Sequence, residues 1–346
     1  MAVPLPDWRR LADAALEVSV VGSFTRLGID ARRAIGPWDD LDAISLAGRT
    51  VLVTGATSGL GLATARRLAA MGASVRIVGR DADRTARAAD DVRGGTPDAD
   101  VATYLADLSD LAQVAALADA VMAREPRLDA LVHNAGALLA TQTWSPQGHE
   151  VTYASMVLAP ALLTERLLPL LADTGCADAD PPGPARVVLV SSGGMYTQGL
   201  DVDDPESDRG YRGSVAYAKA KRAQVVLAER WAERYADRGV VVHAMHPGWA
   251  ATPGVHASLP TFERVMGPLL RSPEEGADTI VWLVAADEPA RSTGRFWLDR
   301  RPRSTHRVPG TRETEEQRAR LDALVAEAIA PYAGPGGSGG SDGSDG

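Results

Sequence analysis

At 346 residues the chain has room for one large α/β domain or two small ones. Hydrophobic residues make up 45% and charged residues 23%, an ordinary globular composition, and a net charge of −9 without a basic stripe argues against a nucleic-acid partner. The single cysteine, Cys176, excludes an internal disulfide framework, and no apolar run approaches the roughly eighteen residues of a membrane span.

Residues 1–47 read as a mostly helical preface, with Trp8, Leu11, Ala12, Ala15 and Leu16 at helical spacing. Its start is charged and lacks a signal-peptide core, so the expected address is the cytoplasm. Its Asp and Glu content favours a cap or partner contact over a membrane surface. Residues 48–300 alternate short β-rich runs with helical patterns, which predicts a parallel sheet wrapped by helices. The expected strands cover 50–54, 74–78, 101–105, 130–133, 186–190, 240–244 and 295–298. An extension over 301–333 carries an amphipathic helix at 313–329, and 334–346 is a flexible Gly/Ser/Asp tail. Gly336-Gly337-Ser338-Gly339-Gly340 matches a hydrolase nucleophile motif in letters only, since no strand or helix surrounds it.

The first strand runs into Gly55-Ala56-Thr57-Ser58-Gly59-Leu60-Gly61, and a helix pattern follows. Glycines there permit a tight turn and close backbone approach to a pyrophosphate, while the helix N-terminus offers free N–H groups. Gly55, Thr57, Ser58, Gly59, Leu60 and Gly61 are therefore candidate dinucleotide-binding residues. The bland alternative is a tight βα turn without a ligand.

The second strand ends Gly79-Arg80-Asp81. An arginine there pairs with a 2′-phosphate and favours NADP, whereas Asp81 keeps NAD open. Asp107, with Leu108 beside it after the third strand, either holds an adenine amino group or starts a helix at Ser109.

Lysine has almost vanished from the chain, and Lys219 and Lys221 are its only two. Lys221 follows Tyr217 by four residues, so on a helix the ammonium and phenol share a face. A point charge there would lower the phenol's pKa and allow proton exchange near neutral pH. The bland reading is a solvated helix face, which is what Lys219 represents.

Together these elements resemble the short-chain dehydrogenase/reductase family over residues 48–300. The resemblance rests on Thr54-Gly55-x-x-x-Gly59-x-Gly61, Asn134-Ala135-Gly136, Ser191-Ser192, Tyr217-x-x-x-Lys221 and Pro247-Gly248-x-x-x-Thr252, each at a strand end or on the helix after it. A narrower likeness to one group with a preface of similar size rests on 191–195, 224–231, 245–255 and 294–300.

The resemblance implies a doubly wound, Rossmann-like parallel sheet of order 3-2-1-4-5-6-7 with helical extensions at both ends. It implies Tyr217 as proton donor or acceptor, Lys221 as its electrostatic partner and ribose ligand, and Ser192 as the hydrogen bond to the substrate oxygen. Asn134, Ala135, Gly136, Pro247, Gly248 and Thr252 would line the cofactor. Homo-oligomers commonly form through the helix bearing Tyr217 and the one before it, and the extensions would strengthen or block that contact.

One position departs. Where the family carries an asparagine thought to hold a water linked to the lysine, this chain has Met156, and Asn134 is its only asparagine. A thioether is a poor substitute, so Ser155 or a backbone carbonyl would have to hold that water, or efficient chemistry is lost. No His-Glu-x-x-His pattern occurs and no metal is expected; His133, His243 and His246 read as packed residues.

The expected function is NADP-dependent interconversion of a carbonyl and an alcohol. Segments 193–215 and 255–270 would shape the pocket, and Pro260, Phe262, Val265 and Met266 suggest an apolar substrate. The rival reading is an NADP sensor or scaffold without turnover.

Overall fold

The computed structural model describes residues 7–176, 178, 180–258 and 260–334. Most of the tail expected over 334–346 and Leu259 lie outside the described residues, as do the side chains of Val255 and Pro260.

The strands are β1 (Thr50–Thr54), β2 (Ser74–Gly79), β3 (Val101–Leu105), β4 (Ala130–His133), β5 (Ala185–Val190), β6 (Val240–Met245) and β7 (Arg295–Leu298). They pair in parallel in the order 3-2-1-4-5-6-7, as expected. Every residue of β1, β4 and β5 is buried, the burial of strands covered on both faces.

An eighth strand, β8 (Arg301–Arg303), was not expected from the sequence and adds antiparallel to β7. The chain reverses at Asp299 and Arg300, whose φ angles of 53° and 57° lie in the left-handed region. No glycine signals that turn. Buried ion pairs hold it instead.

The helices are α1 (Asp7–Val18), α2 (Val20–Phe24), α3 (Arg26–Ile35), α4 (Gly59–Ala70), α5 (Ala82–Gly95), α6 (Leu111–Arg124), α7 (Val151–Tyr153), α8 (Ala159–Thr174), α9 (Gly213–Arg234), α10 (Pro253–Ser258), α11 (Pro260–Met266), α12 (Pro273–Ala285), α13 (Asp287–Ala290) and α14 (Glu315–Ile329). One side of the sheet packs α6, α8 and α9 around Leu117, Leu131, Leu162, Leu189 and Val226. The other packs α4, α5 and α12 around Val53, Leu68, Ile77, Ile280 and Trp282.

A π-turn, Ala154–Leu158, joins α7 to α8. The continuous helix Val151–Thr174 is, by length and composition, apolar enough to cross a membrane, with a mean hydropathy of 1.4, which corrects the expectation that no run approaches that length. Its apolar window is 72% buried inside the protein, so it serves as a core helix between the sheet and its neighbours.

The N-terminal helices are fastened to the sheet's β7–β8 edge by buried charge. Arg32, fully buried, donates to Asp13 at 2.8 Å and to Asp299 at 2.6 Å. Arg271 donates to the other oxygen of Asp299 at 2.6 Å, so one carboxylate joins the preface, the β7–β8 turn and the start of α12.

Candidate active site

At the end of β1 the glycine turn is closed by its neighbours. Gly55 (φ 66°) leaves no room for a side chain, because a Cβ would lie 2.8 Å from Ala135 Cα. A Cβ on Gly61 would meet the Gly55 carbonyl at 2.4 Å and Asn134 Nδ2 at 2.5 Å. Asn134 donates to the Thr54 and Gly55 carbonyls at 3.0 and 3.2 Å, stapling the end of β4 to the turn. Ser58 precedes α4 without a side-chain cap bond, which leaves the first N–H groups of α4 free of a cap. Positive dipole, free donors and a glycine cradle at one helix start suit a pyrophosphate. Thr252 stands over this turn, its Cβ 3.3 Å from where a Cβ on Gly59 would lie.

Tyr217 and Lys221 lie on α9, and Ser192 follows β5. The Ser192 hydroxyl accepts from Gly194 N–H at 3.2 Å and stands near enough to the Tyr217 phenol to favour its ionised form. Ser192 thus caps a short turn beside the phenol. Ser191 is structural, its hydroxyl donating to the Lys221 carbonyl at 2.8 Å.

Burial pushes the Tyr217 phenol up, with Ser192 opposing. The Lys221 Nζ lies 5.5 Å from the Tyr217 ring centre and donates to the Val190 carbonyl at 2.7 Å and to Gln224 Oε1 at 3.1 Å. Its charge is held by neutral acceptors, and burial draws its pKa down to about 7. Lys219, expected on a solvated helix face, is instead only 14% exposed and pairs with Asp201 at 2.7 Å.

The Met156 position is resolved in an unforeseen way. Met156 is fully buried in the π-turn, and its carbonyl accepts from Gln224 Nε2 at 2.8 Å. The Ser155 hydroxyl donates back to the Val151 carbonyl at 2.6 Å, which commits its proton within the helix. A Cβ on Gly136 would lie 3.3 Å from both Lys221 Nζ and Met156 Cε, so the Asn134-Ala135-Gly136 segment abuts the lysine. Gln224 was missed as a site residue, although its spacing of three from Lys221 on one helix was a legible signal.

The loop after β6 is shaped by the preface. Gly248 (φ 74°) would place a Cβ 2.4 Å from Arg271 Nε and 2.7 Å from the Phe24 carbonyl. Arg271 donates to the Pro247 carbonyl at 3.2 Å and to the Phe24 carbonyl at 3.1 Å. The Phe24 ring also lies 2.5 Å from where a Cβ on Gly193 would stand. No local sequence signal pointed to Phe24 or Arg271.

At the far end of the turn, Arg80 is exposed at the tip of β2. Asp81 caps α5 by accepting from Arg84 N–H at 2.8 Å. Asp107 accepts from Ser109 N–H at 2.9 Å in a local turn, but α6 begins at Leu111 with Asp110 as its cap, which corrects the helix start expected at Ser109. Leu108 packs against the core. Of the histidines, His133 is buried against Thr164 at 2.8 Å, and His243 and His246 pack against Trp297 and Phe296.

Comparison with known proteins agrees with this geometry. Residues 49–261 match the family model described as short chain dehydrogenase. Dehydrogenase/reductase SDR family member 12 of Bos taurus is 37% identical over 82% of this chain and 86% of its own, and this is the group to which the narrower motifs pointed. Retinol dehydrogenase 14 of Mus musculus is 32% identical over 83% of this chain and 90% of its own. Among solved structures, the Pseudomonas aeruginosa RhlG/NADP active-site complex is similar with a TM-score of 0.60 and 28% identity, covering 73% of this chain and 94% of that one.

Proposed function

The chain belongs to the short chain dehydrogenase family, an NAD(P)-dependent oxidoreductase, and on that premise we propose that it interconverts an apolar carbonyl and its alcohol with NADP, Tyr217 moving the proton. The observation that carries this reading is the gathering of Ser192, Tyr217 and Lys221 in one place, next to a glycine turn at the start of α4.

When bound, the nicotinamide supplies or accepts the hydride. The glycine turn, Thr252 and the Pro247-Gly248 backbone would hold it, and Lys221 would reach its ribose. A substrate oxygen placed against Ser192 and Tyr217 receives a hydrogen bond from each hydroxyl, which stabilises a developing alkoxide. Burial keeps the Tyr217 phenol protonated at neutral pH, the form needed to deliver a proton to that oxygen.

NADP is favoured because Arg80 is exposed at the strand tip while Asp81 is committed to capping α5. Arg84 and Arg87 line a cavity of about 280 Å³ together with Thr57 and Asp91, and two guanidinium groups against one carboxylate leave it with positive charge for a 2′-phosphate. The apolar substrate is supported by Phe262 on α11, packed edge to face on Trp249 at 5.1 Å, and by a relative named for retinol.

The test is reduction of a panel of aldehydes and ketones with NADPH, using wild type and Tyr217→Phe. Turnover of apolar members by wild type, with a loss of about a hundredfold or more in Tyr217→Phe, supports the reading. Equal turnover by both sinks the role of Tyr217, and a uniform preference for small polar carbonyls sinks the substrate class.

A further inference from the structure

Lys221 is 2% exposed, and an ammonium so deeply buried needs acceptors in fixed places. β5 supplies one, the Val190 carbonyl. Gln224 Oε1 supplies another at 3.1 Å, and the same side chain donates to the Met156 carbonyl at 2.8 Å. Gln224 is itself fully buried, so both ends of its amide must be satisfied within the protein. The Met156 carbonyl lies in the π-turn, where slippage from the regular helical ladder turns backbone groups toward new partners.

We propose that Gln224 is a positioning residue that clamps Lys221, its amide bridging the ammonium to the Met156 carbonyl where an asparagine and a bound water would otherwise serve. The clamp deepens the acid–base reading of Tyr217 and Lys221 and rests on it. A buried glutamine with satisfied ends is ordinary core chemistry. What sets this one apart is that its acceptor end meets the cation of the site. The amide orientation follows from the partners, since Nε2 is the atom that can donate to a carbonyl and Oε1 the atom that can accept from an ammonium.

Lys221 meets the Val190 carbonyl on β5, the Gln224 amide and the Tyr217 ring on α9, and through Gln224 the π-turn. Tyr217 is the titratable group among these, and burial alone accounts for the drop of the ammonium to about 7. Removing the Gln224 oxygen therefore pulls Lys221 lower still, and a carboxylate in its place raises it.

The chain has only two lysines, so protein carrying carbon-13 at the lysine ε-carbon gives just two signals to titrate by NMR. In Gln224→Leu the Lys221 midpoint should fall by about one pH unit, the worth of one hydrogen bond to a charged group. In Gln224→Glu it should rise, and Lys219 should stay put in both. With NADPH and a reducible carbonyl, the high-pH limb of kcat should move with the midpoint, downward for Gln224→Leu and upward for Gln224→Glu. A mere packing role would not move the same limb in opposite directions. Gln224→Met, closer in volume, replaces Gln224→Leu if a thermal melt shows the latter unfolded.

If neither substitution moves the Lys221 midpoint or that limb, while Tyr217→Phe is inactive, the clamp is wrong and the acid–base reading stands. If the midpoints move as stated but Tyr217→Phe turns over like wild type, the clamp holds and the acid–base reading falls.

Discussion

Phe24 accepts the backbone N–H of Trp249 through its carbonyl at 2.7 Å, while its ring meets the His246 ring edge-on with centroids 4.4 Å apart. A residue from the N-terminal helices is thereby part of the wall behind the Pro247-Gly248 loop. The preface is not an appendage to the dinucleotide fold, because it sets the position of backbone that would face the nicotinamide.

Phe24→Ala removes that ring from a site where it is 3% exposed. It should destabilise the protein by about 3 kcal/mol, the cost of a large-to-small change at a buried aromatic. It should also weaken NADPH binding through the loop, read by nicotinamide fluorescence. Loss of stability with unchanged cofactor affinity would show that the preface only covers the loop.

Asp299 is buried between Arg32 and Arg271, with contacts of 2.6 Å to each. Asp299→Ala leaves Arg271 buried without a carboxylate and takes one of three from Arg32, and should cost about 3–5 kcal/mol, read by urea unfolding. Asp299→Asn keeps the shape but removes the charge and should fall between wild type and alanine. A cost under 1 kcal/mol for alanine would mean that the preface does not depend on this ion cluster.

Stability should decline with acid in two stages. Burial lowers the pKa of His133 and His246 to about 3 and that of His243 to about 4, so these rings stay neutral when folded but take up protons once unfolded. Their contribution is whole above the unfolded histidine value of about 6.5 and shrinks as pH falls below it. The Arg271 and Arg32 guanidinium groups hold the Asp299 carboxyl below its ordinary 3.8 despite the opposing effect of burial, so its contribution is lost only as pH drops below that value. Denaturant unfolding from pH 8 to pH 3 should show a decline that sets in near 6.5 as the three histidines contribute, with Asp299 adding to it only below about 4. A flat curve between pH 7 and pH 5 would contradict the burial of the histidines.

Arg80→Ala should raise the KM for NADPH about tenfold or more while leaving that for NADH nearly unchanged, since only the 2′-phosphate loses a partner. The ratio of kcat/KM for the two cofactors decides it. Equal effects on both would move the discrimination to Arg84 and Arg87, which line the adjoining cavity.

Gly61→Ala places a methyl group 2.4 Å from the Gly55 carbonyl. The turn must open, and NADPH affinity should drop at least tenfold in the same fluorescence titration even if the fold survives, because the phosphate-facing backbone moves.

The seven strands, the glycine turn and the Tyr217–Lys221 pair were legible in the sequence because each depends on local pattern, namely buried runs for strands, glycine where backbone must approach backbone and fixed spacing along one helix, whereas the strand order and Ser192 came from the family resemblance. What the tertiary structure decided were relations between segments far apart in the chain. β8 has no turn glycine to announce it, because Asp299 and Arg300 adopt left-handed backbone only under the ion pairs of Arg32, Arg271 and Asp278. Phe24 reaches Trp249 across more than two hundred residues, a contact with no periodicity to betray it. The state of Lys221 was open for the same reason. Spacing placed it beside Tyr217, but only packing could show its ammonium turned to Val190 and Gln224, with the Met156 carbonyl at the far end of the bridge. Local sequence fixes which residues can meet; burial, and the need to satisfy every polar group within it, decides which of them do.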